Sequence, residues 1–171
     1  MTSAYRPCTT LWLALALQIP WAVCAQDNPA TPDKADDAAP LALPAAPAKE
    51  NLLPFYVSPS ATMNFAIDAP SVSVTPDGIV RFTLVITSAE GARNVSHEGI
   101  RCKTGERKLY ATGGADGNWS ASRNDAWSQI RDVGANRQYA ALYKDYFCDF
   151  SSVSGNAEAI VKRIRQKKTL R

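Results

Sequence analysis

Ionisable side chains near residue 100 are the part of this sequence best suited to chemistry. His97 is the single histidine, and a histidine with a carboxylate such as Glu98 or Asp68 can act as a general base in hydrolysis or proton transfer. Neighbouring residues of a strand point to opposite faces, however, so His97 and Glu98 do not readily share a site. A packed or surface histidine is the favoured interpretation, and a small hydrolase is the alternative.

Glu98 and Arg101 are the second candidate pair. On a strand they would flank Cys102, and they could either form an ion pair or contribute to a polar site on the sheet. Binding pockets commonly combine a few polar groups with an apolar wall. The three aromatic residues expected in such a wall are Tyr110, Trp119 and Trp127. Tryptophan is more often a core residue, so a structural role for Trp119 and Trp127 remains the competing interpretation.

Several chemical classes find no support in the sequence. The sequence has one histidine, and only Cys102 and Cys148 lie outside the N-terminal signal-like segment described below. These are too few nitrogen and sulfur ligands for a zinc site, so no metal is predicted. The glycine-rich motifs that bind nucleotide phosphates do not occur, so no cofactor is predicted. The net charge of +3 is too small to indicate nucleic-acid binding. A non-enzymatic protein is therefore expected.

The first 25 residues have the pattern of an export signal. Arg6 precedes an apolar run over residues 11–17, Pro20 follows the run, and cleavage is predicted after Ala25. An uncleaved anchor is one alternative, but the run is shorter than the roughly 20 residues that a spanning helix needs. Lipidation of Cys24 is another, although the residues before it fit that pattern poorly. The expected location is the periplasm.

Cysteine usage agrees with export. Removal of the signal would take away Cys8 and Cys24 and leave Cys102 and Cys148, one pair in an oxidising compartment. A structural disulfide is favoured over a redox pair, because redox cysteines are usually closer in sequence.

Composition divides the rest of the chain. Residues 26–50 are rich in Ala, Pro and Asp and lack aromatic residues, which predicts a disordered linker. Residues 51–165 are predicted to form a single domain, followed by a basic tail over residues 166–171. Residues 162–171 carry six basic residues and no acid. They could contact anionic lipid or simply form a solvated helix end.

Alternation of apolar and polar residues predicts a strand over residues 79–87. Its apolar face consists of Val80, Phe82, Leu84 and Ile86. Strands over residues 94–103 and 107–112 would complete an antiparallel meander. A bulge at Gly99 would place four residues of the middle strand on one face. They are Val95, His97, Ile100 and Cys102.

Two or three short strands should precede this meander, near Pro59 and Pro70, which gives a sheet of about five strands. Helical spacing of aromatic and aliphatic residues predicts a helix over residues 136–147, and Asn156 is the expected cap of a second helix. The predicted class is α+β, with an antiparallel sheet covered by one or two C-terminal helices. The first helix ends next to Cys148, so the disulfide would fix it to the strand that carries Cys102.

Two short elements carry a family resemblance. EGIRC (residues 98–102) and DYFC (residues 145–148), with tryptophan-bearing segments at Trp119 and Trp127 between them, resemble the cryptic neisserial protein family, an uncharacterised family of exported proteins. The resemblance covers about residues 53–149. It implies one exported domain with a cysteine in each element, and it implies no activity. We therefore expect a binding or structural module of the cell envelope whose partner is an unknown envelope component.

Overall fold

The computed structural model describes residues 41–124 and 126–171. The predicted export signal and the first part of the predicted linker lie outside the described residues. The described chain is an antiparallel sheet with helical segments packed on one face. The broad α+β prediction is therefore confirmed, while several details differ.

The main sheet has seven antiparallel strands rather than about five. They are β1 (Leu52–Pro54), β2 (Asn64–Val74), β3 (Ile79–Thr87), β4 (Arg93–Arg101), β5 (Glu106–Gly113), β6 (Trp119–Ala121) and β7 (Ser128–Gln129). Strands β1 to β6 are adjacent in chain order, and β7 pairs with β5. Strands β6 and β7 are too short to show alternation, which is why the sequence did not reveal them.

Strand β3 has the predicted bounds and the predicted apolar face. Val80, Phe82 and Leu84 are fully buried in the main core, and Ile86 packs at its margin. The opposite face of β3 is buried as well, including Arg81. Both faces of the central strand are therefore covered.

Two strands, β1 and β2, precede the meander, and the segments predicted as separate strands on either side of Pro70 form the single strand β2. Strand β2 runs through Pro70 and pairs with β3 on both sides of an irregularity between Asp68 and Ser73. The Ser71 hydroxyl bridges this irregularity, because it donates to the Asp68 carbonyl at 2.7 Å and accepts from the Thr83 amide at 2.8 Å. Proline interrupts the ladder without ending the strand.

The predicted bulge at Gly99 is wrong. The β3–β4 register is continuous, and the irregularity lies in β5, where Tyr110 is an extra residue opposite His97 and Glu98. His97 and Ile100 consequently face opposite sides of the sheet. A Cβ atom on Gly99 would lie 2.8 Å from the Tyr110 hydroxyl, so the glycine provides room for the bulged tyrosine.

The first predicted helix is present in an irregular form. Helix α1 (Arg137–Ala141) continues as a π-helical turn over Leu142–Phe147. Helix α2 (Ala157–Arg165) begins as predicted, with the Asn156 side chain accepting from the Ala159 amide at 2.9 Å. The helical residues that fill the core are Tyr139, Leu142, Tyr146, Phe147, Ile160 and Ile164.

The disulfide is formed between Cys102 and Cys148, with a Cα–Cα distance of 5.5 Å. Cys102 directly follows β4, and Cys148 opens β8 (Cys148–Asp149), which pairs with β9 (Ser152–Val153) in a small second sheet. The bond joins the central sheet to the end of the π-helical turn, as predicted.

Residues on both sides of the predicted domain (residues 51–165) also contact it. The Trp119 indole N–H donates to the Pro44 carbonyl at 2.7 Å, so packed chain begins within the segment predicted as a linker. At the other end, the Leu170 amide donates to the Asp145 carbonyl at 2.8 Å. The predicted tail thus folds back against the π-helical turn.

Candidate functional site

The sheet separates the residues predicted to form one site. Glu98 lies on the face covered by the helices, opposite Phe82 in the register, whereas Arg101 pairs with Ile79 on the other face. Glu98 and Arg101 therefore do not form an ion pair. Residues three apart on a strand without a bulge point to opposite faces, and the β3–β4 register is continuous from Glu98 to Arg101. The separation follows from the absence of the bulge predicted at Gly99.

The face away from the helices carries a stack of cations and aromatic rings. The Arg101 guanidinium lies 4.0 Å from the centre of a Trp127 ring, and Lys108 lies 5.5 Å from Tyr110 and 5.8 Å from Trp127. Arg101 Nη1 also contacts Glu106 Oε2 at 3.2 Å. Tyr110 and Trp127 are 8% and 9% exposed, so they act mainly as a cover for this face.

His97 is enclosed on the same face. It is 2% exposed, its Nδ1 lies 3.2 Å from the Thr83 hydroxyl, and its ring is 6.0 Å from those of Tyr110 and Trp119. Burial, assisted by the charge of Arg81, lowers the pKa of His97 to about 4. The His97 imidazole is therefore neutral at pH 7 and is held among Thr83, Tyr110 and Trp119.

Glu98 anchors a polar network on the helix-covered face. Its Oε1 accepts from the Ser96 hydroxyl at 2.6 Å and from the Tyr139 hydroxyl at 2.9 Å, and its Oε2 contacts Arg107 Nη1 at 3.2 Å. Burial raises the pKa of Glu98, and the three donors oppose that shift. The Arg107 guanidinium also lies over the Tyr139 ring at 4.2 Å. The network joins β4, β5 and α1.

A pocket of about 240 Å³ opens beside this network. Its lining consists of Arg107, Arg131, Ser128, Gln129, Asn136 and Tyr139, together with the apolar residues Ile130 and Val133. We call it the Arg107 pocket. In this pocket the Arg107 guanidinium, which Glu98 holds in place, lies beside polar groups at the surface.

A second and larger pocket, of about 420 Å³, lies near the other end of β5. Trp119 forms its aromatic wall and Arg93 its cationic group, and much of the remaining lining is backbone or small side chains. Those small residues are Ala46, Pro47, Gly91, Gly113, Gly114, Ala115 and Gly117. We call it the Trp119 pocket. Trp119, one of the three residues predicted to form an aromatic wall, thus borders an open cavity.

Sequence reasoning missed Arg107 and Arg93. The alternation of β5 puts Arg107 on the same side as the apolar Leu109, and a cation on an apolar face requires an anionic partner. Glu98 on the neighbouring strand fulfils that requirement, so a signal for Arg107 was present. Arg93 had no comparable signal, since its position depends on how two turns and residues 46–47 come together.

Within residues 41–124 and 126–171, no group of three or more His, Cys, Asp or Glu side chains is placed to hold a metal ion. The same part of the chain contains no helix both long and apolar enough to cross a membrane.

Comparison with known proteins matches the chain to a protein family. The model of the CNP1-like family matches residues 31–165. Cryptic neisserial protein 1 of Neisseria gonorrhoeae (strain ATCC 700825 / FA 1090) is 26% identical over 113 residues, 59% of this chain and 55% of that protein. The chain thus spans about half the length of this relative. No solved structure matches the chain. The resemblance seen in the sequence is confirmed.

Proposed function

The chain belongs to the CNP1-like family, and on that premise we propose that it is an exported, non-enzymatic binding module of the cell envelope. The observation that carries the proposal is the Cys102–Cys148 bond, which links the sheet to the π-helical turn. Both cysteines are buried, so the bond belongs to the core. Structural disulfides form and persist in oxidising compartments, and the signal-like residues 1–25 provide a route to one.

The Trp119 pocket is the proposed ligand site. A tryptophan wall and backbone-lined sides suit a flat ring, because glycine lets a ligand approach the backbone closely. Arg93 adds a positive charge to the lining. We therefore assign to this pocket a ligand with a planar or apolar ring and a negatively charged group, supplied by an envelope component.

Export is tested by fusing residues 1–30 to alkaline phosphatase, which is active only after export. We expect phosphatase activity in a Gram-negative host, and loss of that activity when Leu13 and Leu15 are changed to Asp within the apolar run. An inactive wild-type fusion would contradict export.

Ligand binding is tested with 2-naphthoate, a flat carboxylate. After cleavage at Ala25 only Trp119 and Trp127 remain as tryptophans, so a Trp127→Phe variant reports on Trp119 fluorescence alone. We expect saturable quenching that weakens about threefold to fivefold in Arg93→Gln, as for loss of one exposed charge contact. Arg123→Gln, which removes an exposed arginine outside the pocket lining, is the matched control. Equal quenching in Arg93→Gln and Arg123→Gln would contradict the assignment.

A membrane-surface role is a second candidate, because five basic side chains at the C-terminal end are exposed. They are Lys162, Arg165, Lys167, Lys168 and Arg171. Arg163 is excluded from this surface, since it donates to the Tyr146 carbonyl at 2.7 Å and to the Ser154 hydroxyl at 2.8 Å. Exposed basic clusters bind anionic lipid surfaces. If the variant with all five changed to Gln sediments with phosphatidylglycerol vesicles as well as the wild type does, this role fails.

A hydrolase that acts through His97 is not proposed. The enclosure of His97 and its contact with Thr83 support a structural role.

A further inference from the structure

We propose that the Arg107 pocket is a binding site for a small oxyanion, a carboxylate or phosphate group, with Arg107 as its anchoring cation. The pocket lies between the start of β5, strand β7 and the segment that leads into α1. Its lining shares no residue with the Trp119 pocket. The inference therefore goes beyond the proposed function and does not depend on it.

Arg107 is held in position before any ligand arrives. Glu98 Oε2 contacts one terminal nitrogen of the guanidinium, and the Tyr139 ring lies against its face. A guanidinium has five N–H donors in a planar fork, so this single contact leaves donors for a ligand. The side chain is 26% exposed, which makes it accessible from the pocket. A cation fixed in this way loses little entropy when it binds.

The charge balance of the pocket favours an anion. Arg107 and Arg131 contribute two positive charges to the lining, and Glu98 behind Arg107 contributes one negative charge. The neighbouring acid Asp132 is engaged elsewhere, since its Oδ2 contacts Lys144 Nζ at 2.8 Å. One positive charge therefore remains in excess at the pocket.

The neutral lining suits an oxyanion of small size. Ser128, Gln129 and Asn136 bring a hydroxyl and two side-chain amides to the lining. The Ser128 hydroxyl donates to the Arg107 carbonyl and the Gln129 amide to the Thr104 carbonyl, each at 3.4 Å. The second N–H of Gln129 and the Asn136 amide are therefore the neutral groups that can donate to an oxyanion. The volume of about 240 Å³ is below the usual range of about 300–1,000 Å³ for drug-sized ligands. A compact ligand with one or two charged groups fits better than a polymer.

The test is titration of the ¹⁵N-labelled protein, including its C-terminal residues, with inorganic phosphate and separately with succinate at constant ionic strength. We expect saturable shifts of the Ser128 and Gln129 amides with at least one of the two probes. A response to phosphate alone assigns a phosphoryl ligand, and a response to succinate alone assigns a carboxylate. Shifts with neither probe, or shifts spread evenly over all basic surfaces, would overturn the proposal.

A variant in the lining and a control outside it separate specific binding from a general effect of charge. Arg131→Gln removes an exposed cation and should weaken binding of the responding probe about threefold to fivefold. Arg123→Gln is the control and should leave the affinity unchanged. If Arg131→Gln has no effect, or if Arg123→Gln weakens binding as much, the site is refuted.

Discussion

Removing the disulfide gives a prediction whose size follows from the fold. The two cysteines are 46 residues apart in sequence, and the chain-entropy model gives about 4 kcal/mol for a closed loop of that length. Because both sulfur positions are buried, a Cys102→Ala/Cys148→Ala variant should lose about 1 kcal/mol more through lost packing. Small domains are stable by only about 5–15 kcal/mol, so this variant should lose about a third or more of its free energy of unfolding.

The assay is urea unfolding of the domain without its leader, followed by tryptophan fluorescence and analysed by linear extrapolation. Wild-type protein unfolded in the presence of a reducing agent is the matched control. Its free energy of unfolding should lose the contribution of loop closure, while both sulfur atoms remain in place. A loss below about 1 kcal/mol in both samples would refute the reasoning, because a bond that joins sheet and helix must restrict the unfolded chain.

Three further predictions concern buried groups. The pKa of His97 is lowered to about 4 from 6.5. Between these two pH values the unfolded protein therefore binds a proton at His97 and the folded protein does not. Stability should therefore fall by about 3 kcal/mol as the pH drops from about 7 to about 4, and urea unfolding at a series of pH values should show a flatter dependence for His97→Gln. Gly99→Ala should cost about 1–3 kcal/mol, because the new methyl group would lie 2.8 Å from the Tyr110 hydroxyl; unchanged thermal stability would contradict this packing. Arg163→Met should cost about 1.5–3 kcal/mol through lost hydrogen bonds to Tyr146 and Ser154, and thermal unfolding that matches the wild type would show these bonds to be dispensable.

Regular periodicity explains which parts of the fold could be predicted. Strand β3 and the core face of the first helix follow from the spacing of apolar residues, and the cap of α2 follows from Asn156 and its hydrogen bond. These features depend on neighbours within one element. Sequence alone contains such information.

Features that depend on contacts between elements were predicted less well. The bulge belongs to Tyr110 because its ring fills the space above Gly99, and a sequence does not show which of two paired strands carries the extra residue. The Trp119 pocket likewise needs Pro44 to accept from the indole N–H. That contact joins residues 75 positions apart, and no local pattern indicates it.

The candidate site was partly accessible from sequence. Glu98 was identified as a polar residue of interest, but its partner is Arg107 rather than Arg101. The predicted bulge at Gly99 would have placed Glu98 and Arg101 on one face, and the continuous β3–β4 register separates them. The positions of Arg93 and Arg131 depend on turns, whose conformation the sequence does not determine in this case.

The central claim is that the protein is exported, loses its leader and carries a formed disulfide. Mass spectrometry under non-reducing conditions, on protein taken from the envelope fraction of cells, tests these three points together. The account predicts a chain that begins at Gln26 and a peptide in which Cys102 is joined to Cys148. A full-length chain that retains residues 1–25 and has two free thiols would contradict it.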